Sequence, residues 1–178
     1  MSHPQQLAFI RSVKDQFPSN FTDVKVLEVG SLDINGSIRQ FFNNCDYLGI
    51  DVGAGRHVDV VCAGQDLDHA DATYDTVASC ECFEHNPEWL KTFSNMHRLA
   101  KPGGLVFVTC ATTGRPEHGT TKTSPNDSPL TIGIGWDYYK NLTEHDFKTA
   151  FELDEMFSLW NIRTDMSHRD LYFYGVKR

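Results

Sequence analysis

Short apolar runs alternate with amphipathic stretches along this chain, and the alternation predicts most of its elements. Leu7, Ile10, Val13 and Phe17 recur at helical spacing, predicting a helix over 4–17 that Pro18 closes. Residues 24–29 form a β-branched run ending in Gly30; apolar on both faces, it suits a buried parallel strand. A helix is expected over 36–42, a strand over 47–50 that ends at Asp51, and further strands over 58–61 and 76–79. Trp89, Leu90, Phe93, Met96 and Ala100 make an apolar helical stripe, with Asn86 as N-cap and Pro87 at the first helical position. Lys101, Pro102, Gly103 and Gly104 stop that helix, and a strand follows over 105–109. Thr143 caps another helix through Phe151, with Asp146 as its capping-box partner, and strands over 157–162 and 171–176 close the chain.

Strands alternating with helices imply a sheet covered on both faces: a doubly wound, Rossmann-like, three-layer α/β/α fold, mostly parallel with an antiparallel last strand. Only residues 52–57 separate the second strand from the third, too few for a crossover helix. The fold is expected in trimmed form.

Composition narrows the setting. At 178 residues, one domain with a real core is expected, and 40% hydrophobic residues argue against disorder. No apolar run has the length of a membrane span, and the first ten residues lack a signal-peptide layout. Five cysteines without a C-x-x-C pattern suit a reduced cytoplasmic protein. The net charge of −8 works against a long nucleic acid as partner.

In such a sheet ligands sit beyond the carboxyl ends of the strands, and distinctive residues stand there. Glu28 and Gly30 end the first strand, and Gly36 opens the next helix. The turn between them offers backbone N–H groups to a carboxylate. Asp51, at the end of the second strand, can accept from both hydroxyls of a ribose.

The run Val26 to Gly30, then Gly36, Asp51 and Tyr74 to Val77, resembles the class I S-adenosylmethionine-dependent methyltransferases, closest to the type 11 group. Glu84 and His85 followed by Arg98 to Gly104 carry the same resemblance, which covers residues 24–109. It implies S-adenosyl-L-methionine as cofactor, with Gly30 and Ser31 under its methionine and ribose, Asp51 on the ribose and Val52 against the adenine. It further implies Ala63, Gly64 and Gln65 at the adenine edge, and Cys80 and Glu81 at the methionine end. Residues 1–110 would then be the cofactor-binding half, 111–142 a substrate loop, and 143–178 a C-terminal helix and strand pair. Two positions depart from the family pattern: the glycine turn keeps only its last member after Gly30, and Ala63 stands where an aspartate often meets the adenine amine. A nicotinamide enzyme would need three glycines in a G-x-G-x-x-G turn, which this chain lacks.

Glu81, Glu84 and His85, spaced i, i+3, i+4, would share one face of a helical turn and could hold a divalent cation. The same pattern resembles metal-assisted O-methyltransferases of small-RNA 2′-hydroxyls and ubiquinone precursors; a structural role for the acids is the alternative. Residues 111–142 have no clear periodicity and are expected to recognise the substrate through Arg115, His118, Lys122, Trp136, Asp137, Tyr138 and Tyr139. His118 is the candidate general base, with Glu81 as a second catalytic residue; the two tyrosines could equally anchor the loop. The leading function is O-methylation of a small or sugar-like acceptor. Its alternatives are a non-catalytic cofactor-binding or interaction module and, third, a metal-assisted RNA 2′-hydroxyl methyltransferase.

Overall fold

One sheet organises residues 3–178, the part of the chain that the computed structural model describes. Val60–Val61 (β3), Asp46–Asp51 (β2), Lys25–Val29 (β1), Tyr74–Cys80 (β4), Ala100–Ala111 (β5), Asp170–Lys177 (β7) and Phe157–Asp165 (β6) lie side by side in that order. Pairs from β3 through β5 are parallel, and β7 runs antiparallel to both β5 and β6. Strand order reverses between β1 and β4, so a crevice opens at their carboxyl ends.

Each face has its own core. The helix Pro4–Gln16 (α1) lays Phe9, Ile10 and Val13 against Phe21, Ile38, Phe41 and Phe107 on one side. On the other, Trp89–Leu99 (α2) contributes Trp89, Phe93 and Met96 to an aromatic cluster with Phe83, Phe147, Phe157 and Phe173. Phe147 comes from Glu144–Ala150 (α4), which starts at the Thr143–Asp146 capping box. Pro129–Gly133 (α3) and Leu153–Met156 (α5) are single turns. Among the described residues no helix is long and apolar enough to cross a membrane.

The structure corrects four local expectations. The helix over 36–42 shrinks to a single 3₁₀ turn, Ile38–Phe41. Three-residue spacing already puts Ile38 and Phe41 on one buried face, and Phe42 returns to extended backbone. The third strand keeps only Val60 and Val61, both exposed because no helix crosses over them. Asn86 is not the N-cap of α2: Glu88 is, while the Asn86 side chain accepts from the Glu88 N–H at 2.8 Å and donates to Thr92. The segment 101–104 does not separate α2 from its strand but bulges within β5, since Tyr74 pairs with Ala100 and Thr76 with Leu105.

Candidate active site

The carboxyl ends of β1, β2 and β4 enclose a cleft of about 670 Å³ whose wall includes Glu28, Gly30, Ser31, Gly36, Asp51, Cys80 and Glu81. A second lobe of about 300 Å³, lined by Val52, Cys62, Gly64, Asn86 and Trp136, meets the first at Gly30, Asp51, Cys82 and Thr131. Most of the expected cofactor residues are therefore gathered in one place. Two are not. Ala63 and Gln65 lie off both walls, and the Gln65 carbonyl oxygen accepts from Thr92 of α2 at 3.0 Å.

Side chains hold the turn after β1 where the family pattern has glycines. Ser31 Oγ donates to the His57 carbonyl at 3.1 Å, the Leu32 N–H donates to Asp51 Oδ2 at 3.0 Å, and the Gly36 N–H donates to Asp33 at 2.7 Å. Gly30 itself is required: at φ +80 its missing Cβ would stand 2.6 Å from Cys82 Cβ. Asp51 Oδ1 also accepts from the Val52 N–H at 2.8 Å, so both carboxyl oxygens are oriented and each retains a free lone pair. Glu28 is buried at the base of the cleft and accepts from the Tyr47 hydroxyl at 2.7 Å. Burial pushes its carboxyl up to about 8, against the lowering pull of that hydrogen bond.

Past the end of β4 the chain turns sharply. Glu81 adopts φ +53, a strained backbone for a non-glycine residue and one that concentrates at functional sites. The turn separates the three residues expected on one helical face. Glu81 points toward α1, where Thr109 Oγ1 donates to its Oε1 at 2.8 Å and His3 Nε2 lies 3.8 Å from Oε2. His3 is also 3.5 Å from Asp170, which pairs with Arg115 at 2.7 Å and accepts from Tyr172 at 2.9 Å. Glu84 and His85 sit on a 3₁₀ turn, Phe83–His85, and belong to a separate group. His118 of the loop joins these two, with one ligand atom from each of the three within 4.8 Å of the others.

Burial and charge divide these acids. Burial works to raise Glu81, but the hydrogen bond and charge of His3 overcome it and hold its carboxyl low. Burial and the Glu81 charge together raise Glu84, so that of the two carboxyls Glu84 keeps its proton. Burial, reinforced by the nearby His118, drives His85 down to about 3, so its imidazole is neutral. Its ring hydrogen-bonds the Tyr138 backbone, while its Nδ1 has no partner among the described residues. Glu84 Oε1 accepts from the Ala111 N–H at 3.2 Å; its Oε2 has no partner either. His118 Nδ1 donates to the Pro116 carbonyl at 3.0 Å, which leaves Nε2 as the lone-pair nitrogen. Gly119 permits this approach, since a Cβ there would lie 2.7 Å from His85 Cε1. A neutral imidazole nitrogen and a carboxyl oxygen, both buried and unpartnered among the described residues, fit a divalent cation, whose charge would displace the Glu84 proton. Glu84, His85 and His118 would hold it, without Glu81.

The remaining loop residues build the roof. Arg115 ties the loop to β7, Trp136 lines the second lobe, Asp137 accepts from the Thr121 N–H at 2.8 Å, and Tyr139 packs against His85 and His118. Sequence reasoning missed Gln6, His3, Cys82, Thr131 and Asp170. For Gln6 a signal existed: it shares a helix face with Ile10 and Val13, a polar residue in a core position.

Topology and cleft define a class I S-adenosylmethionine-dependent methyltransferase fold. Residues 27–108, somewhat less than half of the chain, match the family model described as "Methyltransferase domain", of the type 11 group. Haemonchus contortus phosphoethanolamine N-methyltransferase 2, solved with S-adenosyl-L-methionine, superposes at a TM-score of 0.66 and 15% identity, over 97% of this chain and 52% of that one. Burkholderia thailandensis 1,6-didemethyltoxoflavin-N1-methyltransferase, solved with S-adenosylhomocysteine, superposes at 0.59 and 13% identity, over 99% and 91%. Prosolanapyrone synthase of Alternaria solani is 41% identical over 54 residues, 30% of this chain and 2% of that protein. The chain thus spans a small fraction of that synthase and about half of the Haemonchus protein.

Proposed function

We propose that the chain transfers the methyl group of S-adenosyl-L-methionine to a hydroxyl of a small, sugar-like acceptor. One observation carries the reading: behind His85, which lines the cleft, Glu84 Oε2 and His85 Nδ1 are buried without partners among the described residues, close to His118. Buried orphan polar atoms are costly, and a module that only bound the cofactor would have no use for them. Both named N-methyltransferases act on small molecules, which supports an acceptor of that size.

The donor lies along Gly30, Ser31 and Gly36, with its ribose hydroxyls donating to the two oriented oxygens of Asp51 and its adenine in the lobe bounded by Val52, Gly64 and Trp136. The acceptor enters beside His85. Its oxygen attacks the methyl carbon as the carbon–sulfur bond breaks, and the sulfonium leaves as a neutral thioether. The hydroxyl proton passes to His118 Nε2, whose other nitrogen is fixed on Pro116. Donor and acceptor held in line supply much of the rate. A divalent cation held by Glu84, His85 and His118 would take that same His118 lone pair, and would then itself lower the pKa of an acceptor hydroxyl beside it in place of the histidine base.

The test is S-adenosylhomocysteine formation on panels of hydroxyl, amine and carbon-acid acceptors, with and without chelator. Turnover on hydroxyls supports the reading. Methylation confined to amines or carbon acids overturns the oxygen assignment, and absence of S-adenosyl-L-methionine binding overturns the donor. Activity lost in chelator and restored by magnesium, manganese or cobalt assigns the cation; full activity in chelator leaves His118 as the base.

A further inference from the structure

The first turn of α1 reaches the cleft, and its polar residue there is not satisfied. Gln6 is 2% exposed, lines the cleft beside Glu28 and Glu81, and its Oε1 has no hydrogen-bond partner among the described residues. Hydrogen-bond direction fixes which end of the amide is free. Thr109 spends its only hydroxyl proton on Glu81 Oε1, at 2.8 Å. Toward Gln6 it can therefore only accept, and Gln6 Nε2 donates to it at 3.3 Å. The carbonyl end is left as a buried acceptor on the cleft wall, next to a carboxylate that His3 and Thr109 hold in place. A neutral and an anionic acceptor side by side call for a ligand group that is cationic and rich in donors.

We infer that Gln6, together with Glu81, binds the methionine ammonium of the cofactor, so that the first turn of α1 completes the donor site. This rests on the donor reading above. The three N–H groups of an ammonium can serve Gln6 Oε1 and Glu81 at once. Gln6 is then a binding residue, His3 and Thr109 are positioning residues, and cofactor binding and docking of α1 reinforce each other.

Calorimetry on the full chain separates this from its rivals, using S-adenosylhomocysteine and 5′-methylthioadenosine, which lacks the amino-acid tail. Gln6→Leu should weaken S-adenosylhomocysteine about tenfold or more, the loss of one hydrogen bond to a charged group, and leave 5′-methylthioadenosine unchanged. Retained binding of the tailless ligand shows at the same time that the variant is folded. Equal losses for both ligands would make Gln6 structural and overturn the inference. Unchanged S-adenosylhomocysteine affinity with a raised acceptor KM would place Gln6 on the acceptor and overturn it too. If the wild-type chain binds neither ligand, the donor reading itself falls; if it binds both and the variant behaves like it, only the role of Gln6 does.

Discussion

Two polar groups flank the end of β4, and they are built differently. On the α1 side, His3, Glu81 and Asp170 answer one another: each carboxylate has a cation and a hydroxyl beside it, from His3, Arg115, Thr109 and Tyr172. On the α2 side, Glu84, His85 and His118 converge with two buried side-chain atoms unpartnered and no Lys or Arg ion pair among the described residues. Both groups are buried polar clusters of similar composition, so composition does not tell them apart. Charge pairing does. The carboxylates of the first are matched by cations and hydroxyls, which hold Glu81 in position on the cleft wall, whereas the second has no counter-charge and keeps two orphaned side-chain atoms.

The comparison breaks first at Glu84. Glu84→Gln keeps the shape and the hydrogen bond from Ala111 but removes the ionisable oxygen. Turnover should fall about 10–10²-fold, the usual loss of one contact to a charged group, here to the cation that Glu84 would help hold, with cofactor affinity unchanged. Turnover assays beside calorimetry check this, and near-normal turnover would show that the orphaned atoms are not where chemistry happens.

Asp170→Ala tests the opposite side. It strips Arg115 and His3 of a buried counter-charge, and removing one partner of a buried pair costs about 3–5 kcal/mol. Arg115 keeps a second hydrogen bond, to the His168 carbonyl at 2.9 Å, which argues for the lower end. Denaturant unfolding should show that loss. If stability holds and activity disappears instead, Asp170 acts in the chemistry and not as a counter-charge.

Glu28 is a sharper case, because its single partner, Tyr47, does not offset its burial. Its carboxyl is pushed up to about 8 in the folded chain, above the ordinary glutamate value of 4.5. Between those values the native state holds a proton that the unfolded chain has lost, so this carboxyl makes stability fall as pH rises through the window. The slope it contributes is at most about 1.4 kcal/mol per pH unit. Glu28→Gln should flatten the unfolding free energy measured between pH 5 and 8, and an unaltered slope would show Glu28 ionised throughout.

How much of this was legible beforehand follows from distance along the chain. The run from Glu28 through Gly30 to Asp51 is local, and the residues that line the donor cleft from β1, β2 and β4 could be named from the strand ends alone. The capping box at Thr143 was equally plain, because its two partners are three residues apart. The grouping of Glu81 with Glu84 and His85 assumed helical backbone from 81 to 85, but Glu81 has left-handed backbone and its carboxyl clusters with His3 and Asp170 instead. His3, Gln6 and Asp170 stayed hidden for a different reason: they meet Glu81 only through the sheet, from opposite ends of the chain. Pattern along the sequence carries no information about such long-range charge matching.

The smallest effect concerns the roof, where two parts of the same loop differ. Residues 112–123 are tied to β7 and to Asp137 through hydrogen bonds of Thr112, Arg115 and Thr121. Residues 125–136 rest on the cleft instead: Leu130 and Thr131 line the larger lobe, and Thr131 and Trp136 line the smaller. The donor must span the junction of the two lobes, at Gly30, Asp51, Cys82 and Thr131, so it meets the second part and not the first. Saturating S-adenosylhomocysteine, with no acceptor, should therefore slow amide exchange several-fold over 125–136 and leave 112–123 near its unliganded rate. Adding acceptor should extend protection to the stretch around His118. Slowing that is uniform across 112–136 with the donor alone would mean that the loop closes as one body, and that the division between its two parts exists only in the unliganded chain.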